Sequence, residues 1–192
     1  FSNWLPAFFE RSFPEMDRGT INVGLGLVIG VVGGAGTFLG GYLSDRVAKR
    51  DIRWRLWIAC IAIFLGWPIG LGSLFAGEYG VVLSLMALPA FVALFHVATL
   101  FALMQQLVEP RMRAVATAIL MLFTNLLGGG LGPYYVGIVS DLLTDKYGEQ
   151  ALAWALTSLV FFAFWAAVHF FLASRHLLED AAKSARSAEP GA

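Results

Sequence analysis

Long stretches of this chain carry no charge at all, and no other property restricts its fold as much. Asp, Glu, Lys and Arg are absent from Gly19–Ser44, Leu56–Gly77, Tyr79–Val108, Ala114–Ser140 and Gln150–Ser174. Each run exceeds the roughly 20 apolar residues that a helix needs to cross a bilayer. The composition agrees: 58% of residues are hydrophobic and 14% charged, against about 25% charged in a soluble domain. An ordinary soluble fold is excluded, although 192 residues would suit one. The formal charge of zero says nothing about nucleic acid, but no basic patch interleaved with aromatics appears, and no nucleic acid partner is expected. Cys60 stands alone, so no intrachain disulfide can form.

The runs predict a series of membrane helices. Phe1–Phe9 is too short to span and reads as the end of a first helix whose start lies upstream, weakened at Pro6 and closed by Glu10-Arg11. A chain of this kind is expected to be a piece of a longer protein. Ser12–Arg18 reads as an external loop. The second helix, about Thr20 to Ser44, holds glycines that would cost ~1 kcal/mol each in a soluble helix. In a membrane they let neighbouring backbones approach, and Gly26/Gly30, Gly30/Gly34 and Gly36/Gly40 have the spacing of a packing seam. The third helix runs from about Trp54 to Ala76 with a kink at Pro68. The fourth, Tyr79 to Val108, must tilt, bend at Pro89 or project beyond the bilayer. The fifth, Ala114 to Ser140, is expected to bend or break at Gly128-Gly129-Gly130-Leu131-Gly132-Pro133, backbone tolerated only against protein or a wet cavity. The sixth, Gln150 to Ser174, is rich in Phe and Trp and suits lipid. A mobile tail is expected from Arg175.

With the Arg46 loop placed inside, the inner segments hold ten basic residues and the outer ones only Arg11, Arg18 and Lys146. This positive-inside bias puts the C-terminus in the cytoplasm. A short repeat runs through the chain: Gly41-Tyr42-Leu43-Ser44-Asp45 returns as Gly137-Ile138-Val139-Ser140-Asp141, each following an arginine, Arg18 or Arg113, by nearly the same interval. The first copy is expected to close the second helix inside and the second to close the fifth helix outside, as in units of inverted topology.

Gly41-Tyr42-Leu43-Ser44-Asp45-Arg46-Val47-Ala48-Lys49-Arg50 resembles the loop signature of the major facilitator superfamily of secondary transporters, with Ala48 where that family usually has Gly. Three stretches are similar to the Spinster family within it, in a bacterial member: Asn3-Trp4-Leu5-Pro6-Ala7-Phe8-Phe9-Glu10-Arg11-Ser12, the run from Gly33 to Arg46, and Pro110 to Asp141. The resemblance implies an all-α integral membrane fold: a C-terminal six-helix bundle of two inverted three-helix repeats. Residues 1–77 and 78–175 would form the repeats and 176–192 a cytoplasmic tail. It further implies a bacterial inner-membrane location, an N-terminal six-helix half as partner, and alternating access between the halves. Gly41, Asp45, Arg46 and Arg50 would form a gating loop, with Arg46 and Arg50 as basic partners of Asp45 and a latch to a helix end of the other half. Animal members export sphingosine 1-phosphate or move lysophospholipids, so the implied substrate is an amphiphilic lipid.

Five residues are candidates for substrate contact. Arg11 offers a rigid fork of donors to a phosphate or carboxylate, or else snorkels to the headgroups or pairs with Glu10. Asn125, beside Thr124, can line a path or bridge helices. Tyr134 and Tyr135 can supply a hydroxyl or belong to an interfacial belt. His96 and Thr99 lie inside the fourth run, where a histidine is either protonated and functional or bonded to a carbonyl. His169 reads as structural. No carboxylate lies mid-run. Proton coupling would therefore place its titratable acid in the other half, unless His96 serves. No zinc spacing, phosphate loop or catalytic triad is present, no cofactor is implied, and the chain does not read as an enzyme. The alternatives are a drug or organic-anion carrier of the same superfamily, or a receptor or scaffold that moves nothing.

Overall fold

The computed structural model describes residues 2–187, except for the side chains of Phe95, His96, Ala98 and residues 182–187. Every regular element among the described residues is helical. A 3-10 turn, Ser2–Trp4, leads into α1 (Leu5–Ser12). Pro6 lies in the first turn of α1, where a missing N–H has no intrahelical partner to lose, so it starts the helix rather than weakening it. α2 (Arg18–Gly26), a π-helical stretch (Leu27–Val32) and α3 (Gly33–Ala48) form one continuous rod. α4 (Trp54–Ser73) and α5 (Tyr79–Leu107) follow. A 3-10 turn (Pro110–Met112) opens a second interrupted rod: α6 (Arg113–Phe123), a π-helical stretch (Thr124–Leu131) and α7 (Gly132–Tyr147). After Gly148–Gln150 come α8 (Ala151–Ser158) and α9 (Val160–Ser187).

Among the described residues, four stretches are long and apolar enough to cross a membrane: Arg18–Ala48, Trp54–Ser73, Tyr79–Leu107 and Pro110–Ala181. The last reverses direction at Gly148, whose φ of 53° suits a residue without a Cβ, and α8 packs back along α7. The crossings thus coincide with the five uncharged runs. Asp17 caps α2: the backbone N–H and hydroxyl of Thr20 both donate to its carboxylate and hold it below the usual carboxylate range.

The bundle is organised around α5, which α3 and α4 grip from two sides with glycines. A Cβ on Gly36 would lie 2.1 Å from the Phe91 carbonyl oxygen, and one on Gly33 2.8 Å from Leu94 Cδ1. On α4, a Cβ at Gly66 would lie 2.3 Å from Val92 Cγ2 and one at Gly70 3.3 Å from Pro89 Cβ. The expected Gly36/Gly40 seam therefore packs within this chain, whereas Gly26, Gly30 and Gly34 meet nothing within 4 Å. Gly24 faces α5 as well, against Tyr79 and Leu83. An unbroken α-helix of 3.6 residues per turn would put Gly24 and Gly33 about half a turn apart. The wider π turn between them retards the phase and turns both toward α5.

At one end of the bundle Phe9 is 0% exposed. It packs edge-on to Tyr79, within a cluster that joins Ile21, Val82, Val136 and Leu156. This cluster mixes the two sequence units, and α5 of the second lies between helices of the first. Smaller clusters bring α9 onto α4 and α5: Leu56, Leu103 and Leu177, then Ile63, Ala163 and Ala167. Two polar ties reinforce them, from Trp57 Nε1 to Ser174 Oγ at 3.1 Å and from Cys60 Sγ to the Ala167 carbonyl at 3.3 Å.

Three expectations are corrected. The region from Arg175 is helical as far as Ser187 rather than a mobile tail, because buried Leu177 and the Arg175 guanidinium over the Phe171 ring carry α9 onward; residues 188–192 lie outside the described residues. The glycine cluster before Pro133 does not break its helix but widens it into a π-helix. The repeated pentapeptides do not end their helices, since α3 continues to Ala48 and α7 to Tyr147. Their matching serines, Ser44 and Ser140, are both buried.

Candidate functional site

The rod over residues 113–147 carries the polar candidates. Neither α6 nor the π-helical stretch contains a buried residue, and residues 121–131 are exposed throughout. Thr124 Oγ1 donates to the Leu120 carbonyl and Asn125 Nδ2 to the Met121 carbonyl, both at 2.8 Å. These bonds to the preceding turn satisfy part of each polar group without a neighbouring helix. An uncovered Thr-Asn pair followed by Gly128 and Gly129, which meet nothing within 4 Å, does not suit hydrocarbon. It suits a protein surface or a water-filled cavity.

Pro133 opens α7, and its carbonyl accepts the Trp4 indole N–H at 3.1 Å, while the Trp4 ring lies against Gly137. Trp4 thereby fastens α1 to the point where the π-helix becomes α7. Trp4→Phe keeps a ring on Gly137 but removes this bond. It should lower stability by about 1 kcal/mol, read from thermal unfolding of the purified protein in detergent. Tyr134 is 69% exposed on the open side, whereas Tyr135 turns inward, its hydroxyl 3.1 Å from Ser158 Oγ.

Arg11 lies in the last turn of α1 and is exposed. Glu10 pairs with Arg18 at 3.4 Å rather than with Arg11. Arg11 makes no ion pair or side-chain hydrogen bond among the described residues, although its charge complements the helix dipole. Thr99 is 1% exposed, enclosed by protein instead of lining an open surface. The side chain of His96 lies outside the described residues. Of the five candidates, Arg11, Asn125 and Tyr134 face open space. The Trp4 bond brings the helices of Arg11 and Tyr134 together.

At the opposite end of the bundle, where α3 turns into α4, Asp45 Oδ1 accepts from Arg55 Nη2 at 2.9 Å. The Asp45 side chain is 68% exposed and that of Arg55 only 6%. Arg46 instead donates to the Tyr42 hydroxyl at 3.3 Å, Arg50 is exposed and Gly41 is half-buried. The intrachain partner of Asp45 is thus Arg55, which the loop signature does not include. Its sequence signal is an arginine directly before the uncharged run of α4, ten positions after Asp45 across a tight turn. Arg55 Nε and Nη1 and Ser44 Oγ are buried without partners, an uncommon state for buried polar atoms.

The sequence profile of the Major Facilitator Superfamily matches residues 1–133. An MFS-type efflux pump of Mycolicibacterium smegmatis is 36% identical over 182 residues, covering 94% of this chain and 42% of the pump. Two crystal structures of a bacterial homologue of the human lysosomal transporter Spinster share the fold. The inward-facing, occupied one has a TM-score of 0.79 at 21% identity, over 92% of this chain and 45% of its own. The inward-facing, unoccupied one has a TM-score of 0.78 at 22% identity, over 91% of this chain and 43% of its own. The chain spans less than half the length of these relatives. From its membrane-crossing helices and the profile match, it is an integral membrane protein that belongs to the major facilitator superfamily.

Proposed function

We propose that the chain is the C-terminal six-helix half of a secondary transporter that moves an amphiphilic lipid by alternating access. The observation that carries this reading is the uncovered Thr124–Leu131 stretch, polar and glycine-rich at membrane depth. The N-terminal half covers one side of it and the water-filled path the other. A second open stripe, Val23, Leu27, Val31, Phe38 and Tyr42 with Gly26, Gly30 and Gly34 beside it, supplies a further face for that half. Residues 1–77 and 78–175 act as the two inverted repeats. The basic end, with the C-terminus, faces the cytoplasm of a bacterial inner membrane.

In this reading Arg11 takes the anionic headgroup, Tyr134 and Asn125 flank the path, and a proton exchanged in the other half or at His96 drives the cycle. Sphingosine 1-phosphate and lysophospholipids fit the headgroup chemistry. The efflux-pump relative supports a second reading, export of a drug or organic anion. The test is flux of labelled sphingosine 1-phosphate and a lysophospholipid in proteoliposomes of the complete two-half protein, with and without a pH gradient. Arg11→Ala should raise the apparent KM for the phosphate-bearing lipid about tenfold, the equivalent of one lost charge-assisted hydrogen bond. Unchanged flux in a well-folded variant removes the headgroup role. Failure of both lipids to move leaves the drug or organic-anion carrier.

A further inference from the structure

The internal repeat is structural as well as written in the sequence. Carried forward by the interval from Ser44 to Ser140, the π-helical stretch Leu27–Val32 falls on residues 123–128 and overlaps the second one, Thr124–Leu131. The two serines are both buried. Phe38, Tyr42 and Asp45 fall on Tyr134, Ile138 and Asp141, and all six are exposed. On each rod a strip of uncovered side chains thus ends on a carboxylate directly after an uncharged run. The two carboxylates stand at opposite ends of the bundle. Asp45 lies by the start of α4, whereas Asp141 lies toward the end where Tyr147 meets Trp154 and Trp154 meets Phe75, just past the last turn of α4.

The copies differ in what holds the acid. Asp45 accepts from Arg55, but the same interval carries Arg55 to Ala151. The basic residues of the Asp141 end do not replace it. Arg18 pairs with Glu10, Lys146 lies over the Tyr147 ring at 5.0 Å, and Arg11 makes no ion pair among the described residues. Asp141 itself makes no ion pair or side-chain hydrogen bond among them.

We propose that Asp141 is an outer latch: when the outer side closes, its carboxylate pairs with a basic side chain at the outer end of the N-terminal half. This role rests on the reading above, in which that half covers the rod, and the chain spans less than half the length of its matched relatives. Covering the strip of Tyr134 and Ile138 withdraws Asp141 from water. That strengthens a Coulomb pair and makes an unpaired carboxylate costly. Asp45 keeps Arg55 when the halves part. Asp141 has no such partner to return to, so the outer latch biases the two states more than the inner one does.

The experiment measures distances between spin labels on the complete two-half protein in nanodiscs, on a background without native cysteines. One pair joins Glu149→Cys to the outer end of the other half, and a second joins Lys49→Cys to its inner end. The parent protein should show a near and a far distance for each pair, which tests alternating access before any latch variant is made. Asp141→Asn should raise the outer-open population relative to the closed one about tenfold, the equivalent of one lost charge-assisted bond. Asp45→Asn should move the balance less, and the other way. Asp141→Lys should move it further than Asp141→Asn, and charge reversal at one outer lysine or arginine of the N-terminal half should restore the closed population. Asp141 is exposed, so these variants should fold normally, as their unfolding temperatures will show. An unchanged outer population in Asp141→Asn, a shift in the same direction as Asp45→Asn, or restoration of Asp141→Lys by Arg11→Glu and by no residue of the other half would each overturn the latch alone. A single distance for each pair in the parent protein would overturn the alternating-access reading and the latch with it, so the two failures are distinguishable.

Discussion

Gly36→Val is expected to leave little folded protein. The added Cβ would lie 2.1 Å from the Phe91 carbonyl oxygen, 2.9 Å from its carbon and 3.0 Å from its Cα. These are backbone atoms in the middle of α5, so no side-chain rotation can make room. α3 would have to withdraw, and Gly33 with it, from the helix that both α3 and α4 enclose. Overpacking a core costs about 1–3 kcal/mol when side chains can adjust, and a rigid backbone contact should exceed that range. Against a total stability of about 5–15 kcal/mol, the variant should show low yield and a lowered unfolding temperature in detergent. Gly72→Val is the matched control, since a Cβ there meets nothing within 4 Å. A wild-type unfolding temperature for Gly36→Val would show that α3 and α5 do not approach as described.

Asp45→Ala should be the most damaging change at the proposed gating loop, and largely through Arg55. Asp45 is mostly exposed, so the Coulomb attraction it contributes is screened. Arg55 is not exposed: without Asp45 its guanidinium stays buried with no partner among the described residues. Breaking a buried pair from one side costs about 3–5 kcal/mol, and the exposure of Asp45 brings the expected loss to the lower end. Adding Arg55→Met to Asp45→Ala should recover much of it, since an apolar side chain of similar length fills the space without a charge to satisfy. A double variant no more stable than Asp45→Ala would show that the pair does not behave as a unit. Asp45→Asn retains an acceptor for Arg55 Nη2 and removes only the charge, so it is the variant that tests the proposed latch. If it folds normally, flux should fall while substrate binding persists. Equal losses in both would contradict the latch.

The membrane class, the apolar runs that cross and the bounds of α5 were legible in the sequence, whereas α3, α7 and α9 run past their expected ends and the sixth run is divided into α8 and α9. Charge is expensive in hydrocarbon wherever it occurs, so the boundaries of Leu56–Gly77 or Tyr79–Val108 need no knowledge of neighbours. The candidate site was less legible. Arg11, Asn125 and Tyr134 do face open space, but Thr99 has the same composition-level signal and is enclosed. A polar residue inside an apolar run shows its depth, not its direction. Glycine spacing failed in a similar way. Gly26/Gly30 and Gly36/Gly40 share one interval, yet only the second pair packs within this chain.

What the sequence determined by itself was the set of segments that must cross a bilayer, because that depends on the transfer of each segment from water and on little else. The tertiary structure alone decided which glycines approach α5, that Arg55 rather than Arg46 holds Asp45, and that α9 continues past Arg175. Each of these depends on rotation about a helix axis or on a contact between segments far apart in the chain. Two π-helical stretches shift that rotation, and a phase change of a fraction of a turn redirects every side chain beyond it without altering hydropathy.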